Sequence, residues 1–151
     1  MLPRILSALV AAVAIAYIVF LFLPWTETGE DEFSFGGTTG LDFSPGFLTL
    51  LPAVGLALWE LLGVAGVRRT AASDALVAFF LAASTGIVGL SAIVHTKWGN
   101  PYPSSNLDYA AIVEIPLASL LLAGAVAHLV LHIYRGRASS GGTTGAGQTR
   151  D

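Results

Sequence analysis

Apolar residues along this chain are gathered into four long blocks, which short polar segments separate. The blocks cover roughly residues 5–23, 46–67, 75–94 and 109–134. An α-helix rises about 1.5 Å per residue, so it needs about 20 apolar residues to cross the hydrocarbon core of a bilayer. The pattern therefore predicts an all-α membrane protein, an antiparallel bundle of four transmembrane helices.

The first block follows Arg4 and has some features of a secretory signal peptide. Its apolar run is long for a signal, however, and it ends at Pro24 and Trp25 instead of at small residues suited to cleavage. We therefore expect this block to be kept as the first span. Residues 1–137 then form one transmembrane domain, and the polar, Gly-rich segment 138–151 is expected to be a disordered tail.

Composition agrees with a membrane domain and excludes several functions. The chain is 54% hydrophobic and 11% charged, against about 25% charged residues in an average soluble protein. It has no cysteine, which excludes thiol–disulfide chemistry. A net charge of −3 argues against nucleic acid as a partner, because that binding needs a concentrated basic surface. The sequence contains no nucleophile elbow, phosphate loop or zinc-protease motif, and we assign no cofactor.

The basic residues predict the orientation of the spans, because Lys and Arg are retained on the cytoplasmic side during insertion. Lys97 falls on one side of a four-span chain. The other six basic residues fall on the opposite side: Arg4, Arg68, Arg69, Arg135, Arg137 and Arg150. We therefore expect a multi-pass protein of the plasma membrane with both termini in the cytoplasm. Four aromatic residues would lie at the outer interface, where amphipathic rings are favoured: Trp25, Trp98, Tyr102 and Tyr109.

The first outer loop, residues 24–45, contains two short alternating segments around a Gly-rich turn. This pattern predicts a small extracellular β-hairpin in which Phe33 and Phe35 face Leu41 and Phe43. An isolated hairpin is marginally stable, so we expect it to rest on the second outer loop at Trp98. These aromatic residues are candidates for an interaction surface.

Acidic residues are concentrated in the same loop. Their spacing matches no EF-hand, so a solvated acidic surface is a better interpretation than a Ca²⁺ site. The residues concerned are Glu27, Glu30, Asp31, Glu32 and Asp42.

Small residues in the third block predict how the helices pack. Membrane helices associate where small side chains allow their backbones to approach closely. The residues Ala75, Ala78, Ala82, Gly86 and Gly89 recur at spacings of three and four, which predicts a bundle with the third helix at its centre. Ser73 or Asp74 is expected to cap the start of that helix.

Glu60 is the most informative residue in the apolar blocks. It lies eight positions before Arg68, so it is about 12 Å inside the membrane, where a carboxylate needs a partner or a proton. His128 lies seven positions before Arg135 on a helix that runs in the same direction. Their nearly equal depth predicts contact between Glu60 and His128.

The fourth block carries further polar residues on one stripe. Glu114, His128 and His132 share this face through spacings of three and four. Glu114 lies near the level of Ser91 and His95 of the third block, so a second pair is expected at the outer side.

Several interpretations of these polar residues remain open. The two clusters are candidates for a proton or cation pathway, since histidine titrates near neutral pH. Alternatively, each cluster neutralises an isolated polar group and fixes helix register. The spacing of His128 and His132 also suits a metal with Glu60 as third ligand, although a single such pair is common. A bis-histidine haem is disfavoured because His95 lies at the opposite side of the membrane.

The LPW sequence at the end of the first block, the segment FSFGGTTGLDFSPG and three further spans resemble small uncharacterised prokaryotic four-helix membrane proteins. The layout is also similar to that of claudin-like tetraspan proteins, whose first outer loop is β-rich. The chain lacks the W-GLW-C-C signature of claudins and both of its cysteines. The resemblance implies an architecture and carries over no functional residue.

The leading functional interpretation is a non-enzymatic integral membrane protein, an interaction or accessory subunit. Its partners would be the lipid bilayer and either itself or other membrane proteins. The alternative is a small proton- or cation-coupled transporter or channel subunit that uses Glu60 and His128. An enzyme ranks third.

The distribution of basic residues makes a topology prediction. A reporter that is active only outside the cytoplasm is expected to work when fused after Gly36 or Ser104. It is expected to fail when fused after Arg69 or Gly141, because these positions follow an even number of spans. Reporter activity after Arg69 would contradict the four-span arrangement.

Overall fold

The computed structural model describes residues 2–25, 39–42, 44–98 and 109–140. They form four α-helices: α1 Leu2–Leu21, α2 Ser44–Val64, α3 Ala71–Trp98 and α4 Tyr109–Ser140. Each helix contains a segment that is long and apolar enough to cross a membrane, which confirms the prediction of an all-helical bundle with four candidate spans. Helix α4 continues three residues past Arg137 into the segment expected to be disordered, and residues 141–151 lie outside the described part.

The helices form a closed ring. Helix α1 packs against α2 and α4, and α3 packs against the same two helices. The expectation of a central third helix is therefore wrong, since every helix has two neighbours. The small residues of α3 are buried as expected, because they face an interior that all four helices share.

The two ends of the four-helix bundle carry different kinds of residue. Arg4 near the start of α1, Arg69 between α2 and α3, and Arg135 near the end of α4 mark what we call the basic end. Trp25 after α1 and Tyr109 at the start of α4 mark the opposite, loop end.

Helix α2 ends at the basic end with a glycine. Gly66 has φ +83°, a left-handed conformation that glycine adopts without strain. The N–H of Val67 donates to the Leu62 carbonyl at 3.1 Å, and the N–H of Gly66 donates to the Gly63 carbonyl at 3.2 Å. This Schellman pattern satisfies the last carbonyls of the helix, so α2 ends before residue 67, the predicted end of its span.

The turn from α2 to α3 is held by three side chains. Arg69 donates to the Trp59 carbonyl at 2.7 Å and lies 4.7 Å from the centre of the Trp59 ring. It also forms a 3.1 Å ion pair with Asp74, which accepts from Trp59 Nε1 at 3.1 Å. Thr70 caps α3 by accepting from the N–H of Ser73 at 3.1 Å. The predicted cap at Ser73 or Asp74 is therefore wrong, because both lie inside the first turn.

The loop end is closed by Trp25. Its side chain is fully buried, and its Nε1 donates to the Phe20 carbonyl at 3.2 Å. Gly40 lies against the ring with no room for a Cβ, and Gly46 lies against the Gly40 carbonyl oxygen. Trp25 lies at the loop end of the bundle, where the chain folds back over it. Tyr109 is exposed and packs edge-on against Phe20, with ring centres 6.3 Å apart.

The β-hairpin is not supported by the described residues, which contain no strand. Leu41 lies instead in a turn in which Asp42 Oδ2 accepts from the N–H and Oγ1 of Thr39 at 2.7 Å and 2.9 Å. A single antiparallel bridge joins Pro24 to Thr39 in this part of the chain. The predicted hairpin residues Phe33, Phe35 and Phe43, the acidic residues 27 and 30–32, and the side chain of Trp98 lie outside the described residues.

Close packing of α3 against α4 makes a stability prediction. A Cβ on Gly86 would lie 2.6 Å from the Leu122 side chain and 3.0 Å from the Ala118 carbonyl oxygen. Gly86→Ala should force the helices apart and lower the free energy of unfolding by about 1–3 kcal/mol. Reversible unfolding of purified protein in mixed detergent micelles measures this change.

Gly136→Ala in α4 is the matched control, because its added Cβ meets nothing within 4 Å. Helix propensity alone should then raise stability, by about 0.5–1 kcal/mol. Equal changes at Gly86 and Gly136 would contradict the close packing of α3 on α4.

Candidate functional site

Glu60 and His128 meet in the interior of the ring. Glu60 is 0% exposed and His128 is 7% exposed, and 3.0 Å separates His128 Nε2 from Glu60 Oε1. Helices α2 and α4 are not neighbours in the ring, so this contact crosses the bundle from one side to the other. The structure thus brings together the two residues that the sequence places at equal depth.

The helical period explains why both side chains point inward. On α2 the buried positions include Thr49, Ala53, Leu56, Ala57 and Glu60. On α4 they include Glu114, Ala118, Leu121, Ala125 and His128. Spacings of three and four keep each set on one face, and that face is the one turned to the shared interior.

The pair is short of hydrogen-bond partners. Although Nε2 and Oε1 are within ion-pair distance, the two groups are not aligned for a hydrogen bond. Neither oxygen of Glu60 has a hydrogen-bond partner within the described ranges. A carboxyl group and an imidazole can each carry a proton, so this contact brings two such groups together inside the bundle.

A small cleft leads toward this pair from the basic end. Its polar walls are His128, His132, Asp74 and Arg135, and its apolar walls come mainly from α1 and α3. The cleft has a volume of about 20 Å³, which is room for about one water molecule. His128 lies about 10 Å deeper along α4 than Arg135. The cleft therefore reaches the His128 side of the pair, and Glu60 does not line it.

His132 lies one turn beyond His128 and is partly buried. Its Nδ1 has no hydrogen-bond partner among the residues that the structure describes. Over the same residues, no three His, Asp or Glu side chains are close enough to hold a metal ion together. The described residues therefore do not form a metal site from His128, His132 and Glu60.

The second pair that the sequence predicts, Glu114 with Ser91 or His95, is not formed. Glu114 is fully buried, whereas Ser91 and His95 are exposed on the outer face of α3. Helix α3 turns Ala92 and Ile93 toward the interior, and this rotation places Ser91 and His95 outside. Neither carboxyl oxygen of Glu114 has a hydrogen-bond partner in the described part of the chain.

Two residues that sequence reasoning missed lie at the level of Glu114. Tyr17 of α1 and Thr49 of α2 are both fully buried, and the Tyr17 hydroxyl donates to Thr49 Oγ1 at 3.2 Å. The signal was present in the sequence, because Val10, Ala14, Tyr17 and Leu21 follow spacings of four, three and four. An aromatic hydroxyl on such an inward face needs a polar partner.

The contact between Glu60 and His128 predicts coupled stability changes. Glu60→Leu or His128→Leu alone should lower the free energy of unfolding by about 3–5 kcal/mol, because each leaves a buried polar group without its partner. The double variant should recover much of that loss, since a leucine pair is compatible with the apolar surroundings. Denaturation of the four proteins in detergent micelles gives the coupling energy.

His95→Leu is the matched control for this cycle, because His95 is exposed on another helix. Its effect should add to that of Glu60→Leu without coupling. Strictly additive losses for Glu60 and His128 would show that the pair contributes no coupled stability.

Comparison with protein-family models, curated proteins and solved structures finds no match to this chain. The function is therefore argued from the geometry of the bundle.

Proposed function

We propose that this bundle binds and releases protons at Glu60 and His128 as a small proton-coupled transporter or channel subunit. The observation that supports this function most directly is the position of the pair. Two ionisable side chains are buried in contact across the bundle, and one of them lines a cleft at the basic end. Ionisable residues inside membrane helices are costly, so their usual positions are on ion or proton pathways.

The cleft suggests how a proton reaches the pair. His132 and His128 both line it, and imidazoles both accept and donate protons near neutral pH. A proton that enters from the basic end passes to His128 and is shared with Glu60. Because the extra positive charge is poorly solvated in the interior, it favours helix positions that give the pair more contact with water.

The apolar middle of the bundle separates the pair from the loop end. Leu56 and Leu121 are fully buried, and they lie on the loop-end side of Glu60 and His128 along their helices. Proton movement through the protein therefore needs a helix shift that displaces these side chains. We also propose that the basic end faces the cytoplasm across a plasma membrane, because arginines are retained on the cytoplasmic side during insertion.

The outer face of α3 favours a second candidate function, that of an interaction or accessory subunit. Ser84, Ser91 and His95 are exposed on this face at spacings of seven and four residues, which form one line along a helix. Polar side chains on a membrane-facing surface are better satisfied by a partner helix than by lipid. Another copy of the chain or another membrane protein would cover this line.

Proton flux into proteoliposomes tests the leading proposal. With a pH gradient and a trapped pH-sensitive dye, the protein should conduct above the background of protein-free vesicles. Glu60→Gln and His128→Gln should reduce the flux to that background, because neither amide exchanges a proton. His95→Gln should leave it unchanged, since His95 is not part of the pair.

Flux that survives Glu60→Gln would show that the pair is not the proton site. If the unsubstituted protein has no flux, the interaction or accessory role becomes the better proposal, and chemical crosslinking tests it. Because the chain has no cysteine, Ser91→Cys gives a single reactive position on α3. Disulfide-linked or crosslinked products in native membranes would identify the covering partner.

A further inference from the structure

A second polar layer lies in the half of the bundle nearest the loop end. Each helix contributes one residue: Tyr17 from α1, Thr49 from α2, Gly89 from α3 and Glu114 from α4. The Tyr17 hydroxyl bonds to Thr49 and fills the space that a side chain at Gly89 would occupy. Glu114 is fully buried, and neither of its carboxyl oxygens has a hydrogen-bond partner among the described residues. Along α4 this layer is 14 residues from His128, a separation of about 21 Å.

Counting donors in this layer indicates the chemical form of Glu114. Tyr17 donates its hydroxyl proton to Thr49 Oγ1 at 3.2 Å, and Thr49 donates its own to the Gly46 carbonyl at 2.6 Å. Both hydroxyl donors are therefore in use. An ionised carboxylate is only an acceptor, so an ionised Glu114 would be buried with no hydroxyl proton of this layer directed at it. A neutral acid carries no charge, so it costs less to bury in this position than a carboxylate does.

We propose that Glu114 is a second proton-binding site, occupied by a proton while Tyr17 bonds to Thr49, and coupled to both of these residues. In the protonated state the donors run in one direction, from Tyr17 to Thr49 and then to the Gly46 carbonyl. When Glu114 loses its proton, the nearest hydroxyl that can bond to the carboxylate is that of Tyr17. Tyr17 then leaves Thr49 and turns its hydroxyl to Glu114.

The surroundings of Glu114 contain few competing charges. Within the described residues of this layer, Tyr17 is the ionisable group that α1 contributes. Helix α2 contributes the hydroxyl of Thr49, and α3 contributes Gly89, which has no side chain. Asp42 is exposed on the turn outside the bundle and bonds to Thr39. The proton on Glu114 is therefore held by burial, with no charged group among the described residues of this layer to compensate a carboxylate.

The coupling extends to the cover over the loop end. Thr49 bonds to Gly46, which lies against the Gly40 carbonyl, and Gly40 lies against the Trp25 ring. When the Tyr17 hydroxyl turns away, Thr49 loses one of the hydrogen bonds that hold it in this stack. Loss of the proton from Glu114 is thus expected to loosen the contact between α1 and the start of α2. This proposal does not depend on any role for Glu60 or His128.

Infrared difference spectroscopy tests the proposal, because a protonated carboxyl group has a C=O stretching band that a carboxylate lacks. At neutral pH the protein should show one such band that is absent from Glu114→Gln and retained in Glu60→Gln. Raising the pH in sodium-free buffer should remove the band. Tyr17→Phe should keep the band of Glu114 at neutral pH and move its loss to higher pH, since it removes the hydroxyl that would turn to the carboxylate.

Two results would overturn the proposal. Identical spectra of the unsubstituted protein and Glu114→Gln in the carboxylic-acid region at neutral pH would show that Glu114 is ionised. Removal of the band by Na⁺ or K⁺ at fixed pH would show that the layer is a cation site instead of a proton site.

If Glu114→Gln does not fold, Glu114→Asp replaces it. Its shorter acid should keep a band at a shifted position, and an unshifted band would assign the signal to another residue and so contradict the proposal. Circular dichroism and gel filtration of each variant establish that it is folded before its spectrum is compared.

Discussion

An ionisable side chain inside a membrane helix needs a partner that hydrocarbon cannot supply, and the contact between Glu60 and His128 meets that need across the bundle. The two residues belong to helices that do not pack against each other directly. Their side chains must therefore span the interior, which sets the separation of α2 and α4. The ring of four helices follows from this geometry, because α1 and α3 fill the sides of a space that the pair crosses.

The other pair of opposite helices is joined by the same means. Tyr17 of α1 extends across the interior to Gly89 of α3 and bonds to Thr49 of α2 on the way. In both halves of the bundle, a long polar side chain spans a distance at which the backbones do not touch. Between neighbouring helices the opposite holds, since Gly86 allows α3 to approach the Ala118 carbonyl of α4. Large polar side chains thus set the distance between opposite helices, and glycines set the distance between neighbouring helices.

The sequence was sufficient for features that depend on one helix and poor for those that depend on rotation between helices. Hydrophobic length located the four helices, and depth along α2 and α4 located the contact of Glu60 with His128. Depth alone also suggested that Glu114 would meet His95, but α3 is rotated so that His95 is exposed. Rotation depends on which faces fit together, and the spacing of residues in a single helix does not contain that information.

Long-range packing limits prediction at the loop end in the same way. Trp25 carries the signal of an interfacial aromatic, yet it is buried because Gly40 and Gly46 bring the chain back over it. The turn that contains Leu41 depends on the Asp42 side chain, which bonds to Thr39. The alternating pattern predicted a strand through Leu41, and the hydrogen bonds that Asp42 accepts from Thr39 hold Leu41 in a turn instead.

The middle of the bundle decides how the two polar layers can act together. Leu121 lies seven residues from both Glu114 and His128 along α4, and Leu56 lies between Thr49 and Glu60 along α2. Thr85 is a buried hydroxyl of α3, but it donates to the Leu81 carbonyl of its own helix at 2.8 Å, so it does not link the layers. The two proposed proton sites are therefore separated by apolar side chains. Transfer between them needs the helices to move, because the side chains of Leu56 and Leu121 offer a proton neither a donor nor an acceptor.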